Sequence, residues 1–242
     1  MKKIIKWAKV FILGVIGLFL LVFLGLFFYT LNSAKADPMM YESLNALDTS
    51  KIEVKEYHDR YFFAVDKPLG NIVFIQGGKV EANAYLYLAY QLALNGFQVS
   101  LTKAYFNLAI LNPFYNEKFL VDYLPNIVIG HSLGGAVGSM IAASSHKVDY
   151  LVLLGSYSNA KINDTKVLLI TATNDLVMNK GKYQDALSLL PPSSIEKTII
   201  GGNHAGFGWY GKQKNDGIAT ISNKEQQDLT LHYILDFIKE SV

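Results

Sequence analysis

Ser132, in the stretch Gly130-His131-Ser132-Leu133-Gly134, is the residue of this chain best placed to act as a nucleophile. The run Leu124-Pro125-Asn126-Ile127-Val128-Ile129 precedes it, and the small residues Gly135-Ala136-Val137-Gly138-Ser139 follow. G-x-S-x-G between a strand and a helix is a nucleophile elbow, a sharp strained turn that exposes the serine hydroxyl. The flanking glycines let strand and helix pass close together. The amide of Leu133, at the helix start, is left to stabilise developing negative charge. A serine hydroxyl is a weak nucleophile near neutral pH and needs a base. That base needs a third group to hold its tautomer.

The elements that must position these groups are legible from apolar runs alternating with helical stretches, the pattern of a parallel sheet flanked by helices. Strands are predicted at 52–56, 61–66, 71–75, 97–101, 126–129, 150–154, 167–171 and 195–200. Helices are predicted at 82–94, 116–123, 134–144, 181–190 and 224–239. Asn95-Gly96 ends the first of these helices as a left-handed cap. Eight strands, the first two close together as a hairpin, resemble the α/β-hydrolase fold: a mostly parallel eight-stranded sheet with helices on both faces. In that fold the nucleophile follows the fifth strand, and the fifth strand counted here ends at Ile129. Only about a dozen residues, Gly155 to Lys166, lie between the sixth and seventh strands. That is too little chain for a large cap domain, so an open, shallow pocket is expected.

In this fold the triad runs serine, acid, histidine along the chain. Of the five histidines, His146, His204 and His232 follow Ser132. His146 sits at a helix end beside Lys147, and His232 lies inside the C-terminal helix. His204 lies in the glycine-rich loop Gly201–Gly208 just past the last strand, where the fold delivers its base. His131, at the variable position of the elbow, is expected to pack beside the site. Asp175 follows the seventh strand and is the expected acid. Asp149 and Asp164 precede strands and so lie at the wrong edge of the sheet, because sites in open α/β sheets form at the carboxyl ends of strands. A second oxyanion amide is expected from Gln76-Gly77-Gly78-Lys79, after the third strand. Gly78 is the choice, with Gly77 and Lys79 as alternatives. Lys79 and Phe207 are candidate substrate contacts.

The chain resembles the α/β-hydrolase family 5 group, the dienelactone-hydrolase-like serine hydrolases, over roughly residues 70–238. The resemblance rests on Gly77-Gly78-Lys79-Val80, on Lys103 with Asn107-Leu108-Ala109, on the elbow with Gly135, and on Thr173-Asn174-Asp175. Its longest part is Gly202-Asn203-His204-Ala205 running through Phe207-Gly208, Tyr210-Gly211, Gln213 and Asp216-Gly217 to Ala219-Thr220-Ile221-Ser222. It implies a Ser132, Asp175, His204 triad. True dienelactone hydrolases use a cysteine nucleophile and this chain has no cysteine, so that label assigns no substrate. The function expected is carboxylic ester hydrolysis through an acyl-enzyme, on a small-molecule ester. The alternatives are acyl transfer on the same triad and a non-catalytic binding module outside the membrane. No cofactor, nucleotide or metal motif stands out.

The chain has 242 residues, enough for one sizeable α/β domain and an appendage. Residues 10–31 carry no charge, and twenty-two residues at the helical rise span about 33 Å, enough to cross a bilayer core. Lys2, Lys3, Lys6 and Lys9 precede this run, and no acidic residue occurs before Asp37. The positive-inside rule then keeps the N-terminus cytoplasmic and exports the rest. The expected organisation is a basic tip (1–9), a transmembrane signal anchor contacting the lipid bilayer (10–31), a tether (32–51) and the hydrolase domain (52–242). That makes a single-pass cell-membrane protein with an extracytoplasmic domain. The competing reading is secretion after cleavage near Ala36, since Ala34-Lys35-Ala36 fits an A-x-A site. The overall charge of +2 belongs to the tip. Residues 1–36 hold five of the 22 basic residues and none of the 20 acids, so the remainder carries −3, which argues against a nucleic-acid partner.

Overall fold

A computed structural model describes residues 2–240. Residue 1 of the expected basic tip and residues 241–242 of the expected hydrolase domain lie outside the described residues. The chain divides into two compact units, Met1–Ser33 and Ala34–Val242. In the first, the uncharged run folds as one helix, α1 (Lys2–Thr30), long and apolar enough to cross a membrane. It has no polar face along the run. Its last turn is tied off locally. The Thr30 hydroxyl donates to the Phe27 carbonyl at 3.0 Å, and the Ser33 hydroxyl to the Thr30 carbonyl at 2.7 Å.

The second unit is built on eight strands: β1 (Glu53–Glu56), β2 (Arg60–Ala64), β3 (Gly70–Ile75), β4 (Phe97–Thr102), β5 (Asn126–His131), β6 (Tyr150–Leu154), β7 (Lys166–Ala172) and β8 (Ile195–Ile199). They form one sheet in the order β1-β2-β4-β3-β5-β6-β7-β8. β1 pairs antiparallel with β2 and β2 with β4, while every pairing from β4 through β8 is parallel. The central strands are buried on both faces, so they read as continuous apolar runs. Alternate residues go to opposite sides. Ile72, Phe74, Ile127 and Ile129 join a core covered by α3 (Leu86–Leu94) and α6 (Asn223–Glu240). Val73, Ile75, Val128 and Leu151 join the opposite core, with Val137 and Ile141 of α4 (Leu133–Ser144) and Tyr183 of α5 (Lys180–Leu187). Residues 155–165 alone connect β6 to β7, and no cap is inserted there.

Two expectations need correction. No α-helix forms over 116–123; residues Pro113–Phe119 make 3-10 turns instead. The Asn126 side chain accepts the Val121 amide at 3.0 Å, a donor a helix over 116–123 would give to the Glu117 carbonyl, and donates to the Val121 carbonyl at 2.8 Å. The stretch expected as a tether also belongs largely to the compact unit. Ala34 bridges to Val80 in parallel: its amide donates to the Lys79 carbonyl at 2.7 Å, and its carbonyl accepts the Glu81 amide at 2.9 Å. Asp37 donates its amide to the Trp209 carbonyl, and its side chain caps α2 (Pro38–Asn45) through the Met39 amide. Met40 is fully buried against Tyr87 and Trp209.

Candidate active site

The elbow is a local consequence of its sequence. Ser132 has φ 52° and ψ −120°, in the left-handed half of backbone space that a non-glycine residue enters only under constraint. The constraint is visible: its amide donates to the Leu154 carbonyl at 2.9 Å, and its carbonyl accepts the Ser156 hydroxyl at 2.7 Å. A Cβ on Gly130 would stand 2.4 Å from the Gly134 carbonyl oxygen, so only glycine allows β5 and α4 to pass this closely.

His204 is delivered by the loop after β8, and Asp175 by the loop after β7. The two side chains are 2 % and 1 % exposed, and His204 Nδ1 lies 2.7 Å from Asp175 Oδ2. The other oxygen, Oδ1, accepts the amides of Val177 at 2.9 Å and Met178 at 2.8 Å, so the carboxylate is fixed from both sides. Gly155, with φ 49°, leaves room for the pair. A Cβ there would lie 3.1 Å from both Asp175 Oδ2 and His204 Nδ1.

The His204 loop is held by residues the sequence did not single out individually. Asp216 accepts the amides of His204 at 3.3 Å and Ala205 at 2.9 Å. Gln226 of α6 accepts the Asn203 amide at 3.0 Å and donates to the Asn203 carbonyl at 2.7 Å. Asp216 lay within the long family-like stretch. Gln226, however, gave no local signal, because its partners are more than twenty residues away in the chain.

Ser132 and His204 line one cavity of about 240 Å³, shared with Leu133, Tyr157, Val177 and Met178. Asp175 orients the histidine from behind. Among the three candidate loop amides, that of Gly77 donates to Tyr85 Oη at 2.9 Å and that of Lys79 to the Asn107 carbonyl at 2.8 Å. Among the described residues, no protein acceptor takes the amide of Gly78 or of Leu133. These two stand close together: a Cβ on Gly78 would meet Leu133 Cδ2 at 2.9 Å. Such an arrangement suits acyl transfer, with a nucleophile and an oriented base on one cavity and two unengaged amides beside it.

Two expected substrate contacts sit elsewhere. Phe207 is fully buried, its ring 5.8 Å from that of His131, because the 3-10 turn Ala205–Phe207 directs it into the core. Lys79 does not line the cavity of Ser132; its amide and carbonyl are used to fasten the loop to Asn107 and Ala34. His131 is wholly buried against the site, its ring 4.6 Å from that of His204 and its Nδ1 2.8 Å from Tyr85 Oη. Tyr85, which thus touches both Gly77 and His131, was not anticipated. Burial raises its pKa above the usual tyrosine range.

The sequence matches the model of the alpha/beta hydrolase family over residues 71–228. The chain belongs to the alpha/beta hydrolase family. No curated protein matches it significantly. Among solved structures, this hydrolase is similar to dienelactone hydrolase from Anabaena variabilis, with a TM-score of 0.57 and 15 % identity, covering 77 % of this chain and 98 % of that one. A soluble variant of monoglyceride lipase from Saccharomyces cerevisiae, in complex with a substrate analog, gives 0.55 and 11 %, covering 78 % and 94 %. A hyperthermophilic esterase from Pyrobaculum calidifontis gives 0.54 and 14 %, covering 84 % and 92 %. At these identities the likeness is one of fold.

Proposed function

We propose that this alpha/beta hydrolase is a membrane-anchored serine hydrolase that cleaves carboxylic esters through an acyl-enzyme. The observation that carries the reading is the buried 2.7 Å contact between Asp175 Oδ2 and Nδ1 of His204, which shares a cavity with Ser132. His204 takes the Ser132 proton as the oxygen attacks the ester carbonyl, and Asp175 stabilises the imidazolium. The amides of Gly78 and Leu133 hold the oxyanion. His204 then returns the proton to the departing alkoxide, which leaves as the alcohol. Water, deprotonated by His204, attacks the acyl-enzyme, and the carboxylic acid leaves as Ser132 regains its proton. The uncharged run of α1 serves as the anchor, with the lysines of its first turns on the cytoplasmic side and the hydrolase domain exported.

Turnover of a short-chain ester by Ser132→Ala and His204→Ala tests the reading. Both variants are expected to lose at least about 10³-fold in kcat while keeping the wild-type circular dichroism spectrum. Wild-type turnover in either one contradicts it.

A further inference from the structure

A second concavity of about 260 Å³ lies on the segment between β4 and β5, walled by Ala104, Tyr105, Leu108, Ala109, Leu111 and Tyr115. It is fastened to the loop that carries Gly78. The Asn107 carbonyl accepts the Lys79 amide at 2.8 Å, and the Asn107 side-chain oxygen accepts Gln76 Nε2 at 3.0 Å. Leu108 Cδ2 stands 3.7 Å from where a Cβ on Gly78 would be, so the groove runs up to the oxyanion loop. Phe106 and Asn107 have φ of 55° and 51°. Two successive left-handed non-glycine residues persist only where their surroundings over-determine them, and such strain collects at ligand clamps. The one charged side chain on the groove wall, Lys103, donates to Glu56 Oε1 at 2.5 Å and to the Tyr57 carbonyl at 3.0 Å. Its charge is thus already matched, and the groove offers an uncharged chain an apolar wall. At the rim, Tyr105 is 63 % and Leu111 51 % exposed.

We propose that this groove holds the acyl chain of the ester, so that the natural substrates carry an apolar acyl group longer than acetyl. The inference rests on the serine-hydrolase reading. The base that protonates the leaving alcohol must lie on the alcohol side, and the cavity containing His204 also contains Tyr157, Val177 and Met178. The groove does not include His204 and is reached past Gly78, which leaves it to the acyl arm.

The test is kcat/KM of the full chain on p-nitrophenyl esters from acetyl to decanoyl, beside acetyl esters of a graded alcohol series. The wild type should gain up to about fourfold per added methylene until the groove, roughly eight water volumes, is filled. Leu111→Glu and Tyr105→Ala, both at the exposed rim and so compatible with folding, should each lower the octanoyl-to-acetyl ratio at least tenfold without changing the alcohol-length dependence. A flat wild-type acyl series, an unchanged ratio in both variants, or an effect confined to the alcohol series overturns the assignment. Failure of the hydrolase reading looks different: the wild type then turns over no ester of any length.

Discussion

Asp175 divides its two oxygens between different tasks, one held by the Val177 and Met178 amides and the other set against His204. A carboxylate fixed in this way has one orientation available, which is what a base-orienting group requires. His131, packed at a tilt against the same imidazole, is a different case. Burial first, and the charge of His204 second, hold its pKa well below the ordinary histidine value of 6.5. In the unfolded chain it titrates near that value, so below it the unfolded state binds more protons. The stability from keeping His131 neutral is therefore complete above about pH 6.5 and is lost as pH falls towards the folded value. His131→Asn should remove that component: between about pH 6.5 and 5 its unfolding free energy should fall less steeply than the wild type's, by up to about 1.4 kcal/mol per pH unit. Identical slopes in urea denaturation would show that His131 contributes nothing to acid sensitivity. At this scale chain order and loop position were enough to expect Ser132, Asp175 and His204 near one another, and the structure sets Asp175 against His204 and puts His204 on the cavity of Ser132. Tyr85 and Gln226 were not, since their partners come together only through the fold. Phe207 shows the converse, since an aromatic next to a site loop looks the same in sequence whether it faces substrate or core.

The central strands were readable because two-sided burial demands unbroken apolar runs, the edge strands β1 and β8 are short and largely exposed, and the ends of all eight shift by only a residue or two. The elements that escaped are those set by particular side chains. Asn126 takes the Val121 amide out of a helix. Met40, Leu44 and Leu47, spaced at helical intervals in an otherwise polar stretch, pack α2 and its exit onto the domain. The strap from Ala34 to Leu47 touches two of the segments around the site, Lys79–Glu81 through Ala34 and Trp209 through Asp37. Met40→Ala should cost about 2–5 kcal/mol of unfolding free energy, the usual range for a fully buried methionine. A loss under about 0.5 kcal/mol would return this stretch to the role of a passive tether.

Across the whole molecule, charge and hydropathy are segregated. Positive charge without acids precedes an uncharged run, and the remainder is net negative. The Ala34-Lys35-Ala36 sequence that fits a processing site also supplies the bridge to Val80, so cleavage after Ala36 would discard it. The uncleaved form is therefore expected in the cell. Fractionation should leave the protein in membranes after a high-salt and alkaline wash, with an intact N-terminal peptide by mass spectrometry. A mature chain beginning at Asp37 in the soluble fraction would contradict the anchor. The segregation was legible from composition alone, whereas the use of Ala34 was not, because a backbone bridge leaves no trace in residue type.

The reactivity of one hydroxyl is the point on which the proposed function turns. The most direct measurement is peptide-resolved mass spectrometry of the full chain after reaction with a fluorophosphonate, in wild type and in Ser132→Ala. The expected result is a single adduct on the peptide containing Ser132, absent from the variant and formed much more slowly in His204→Ala. An adduct on another residue, or no adduct on a chain that still hydrolyses esters, would contradict Ser132 as the nucleophile.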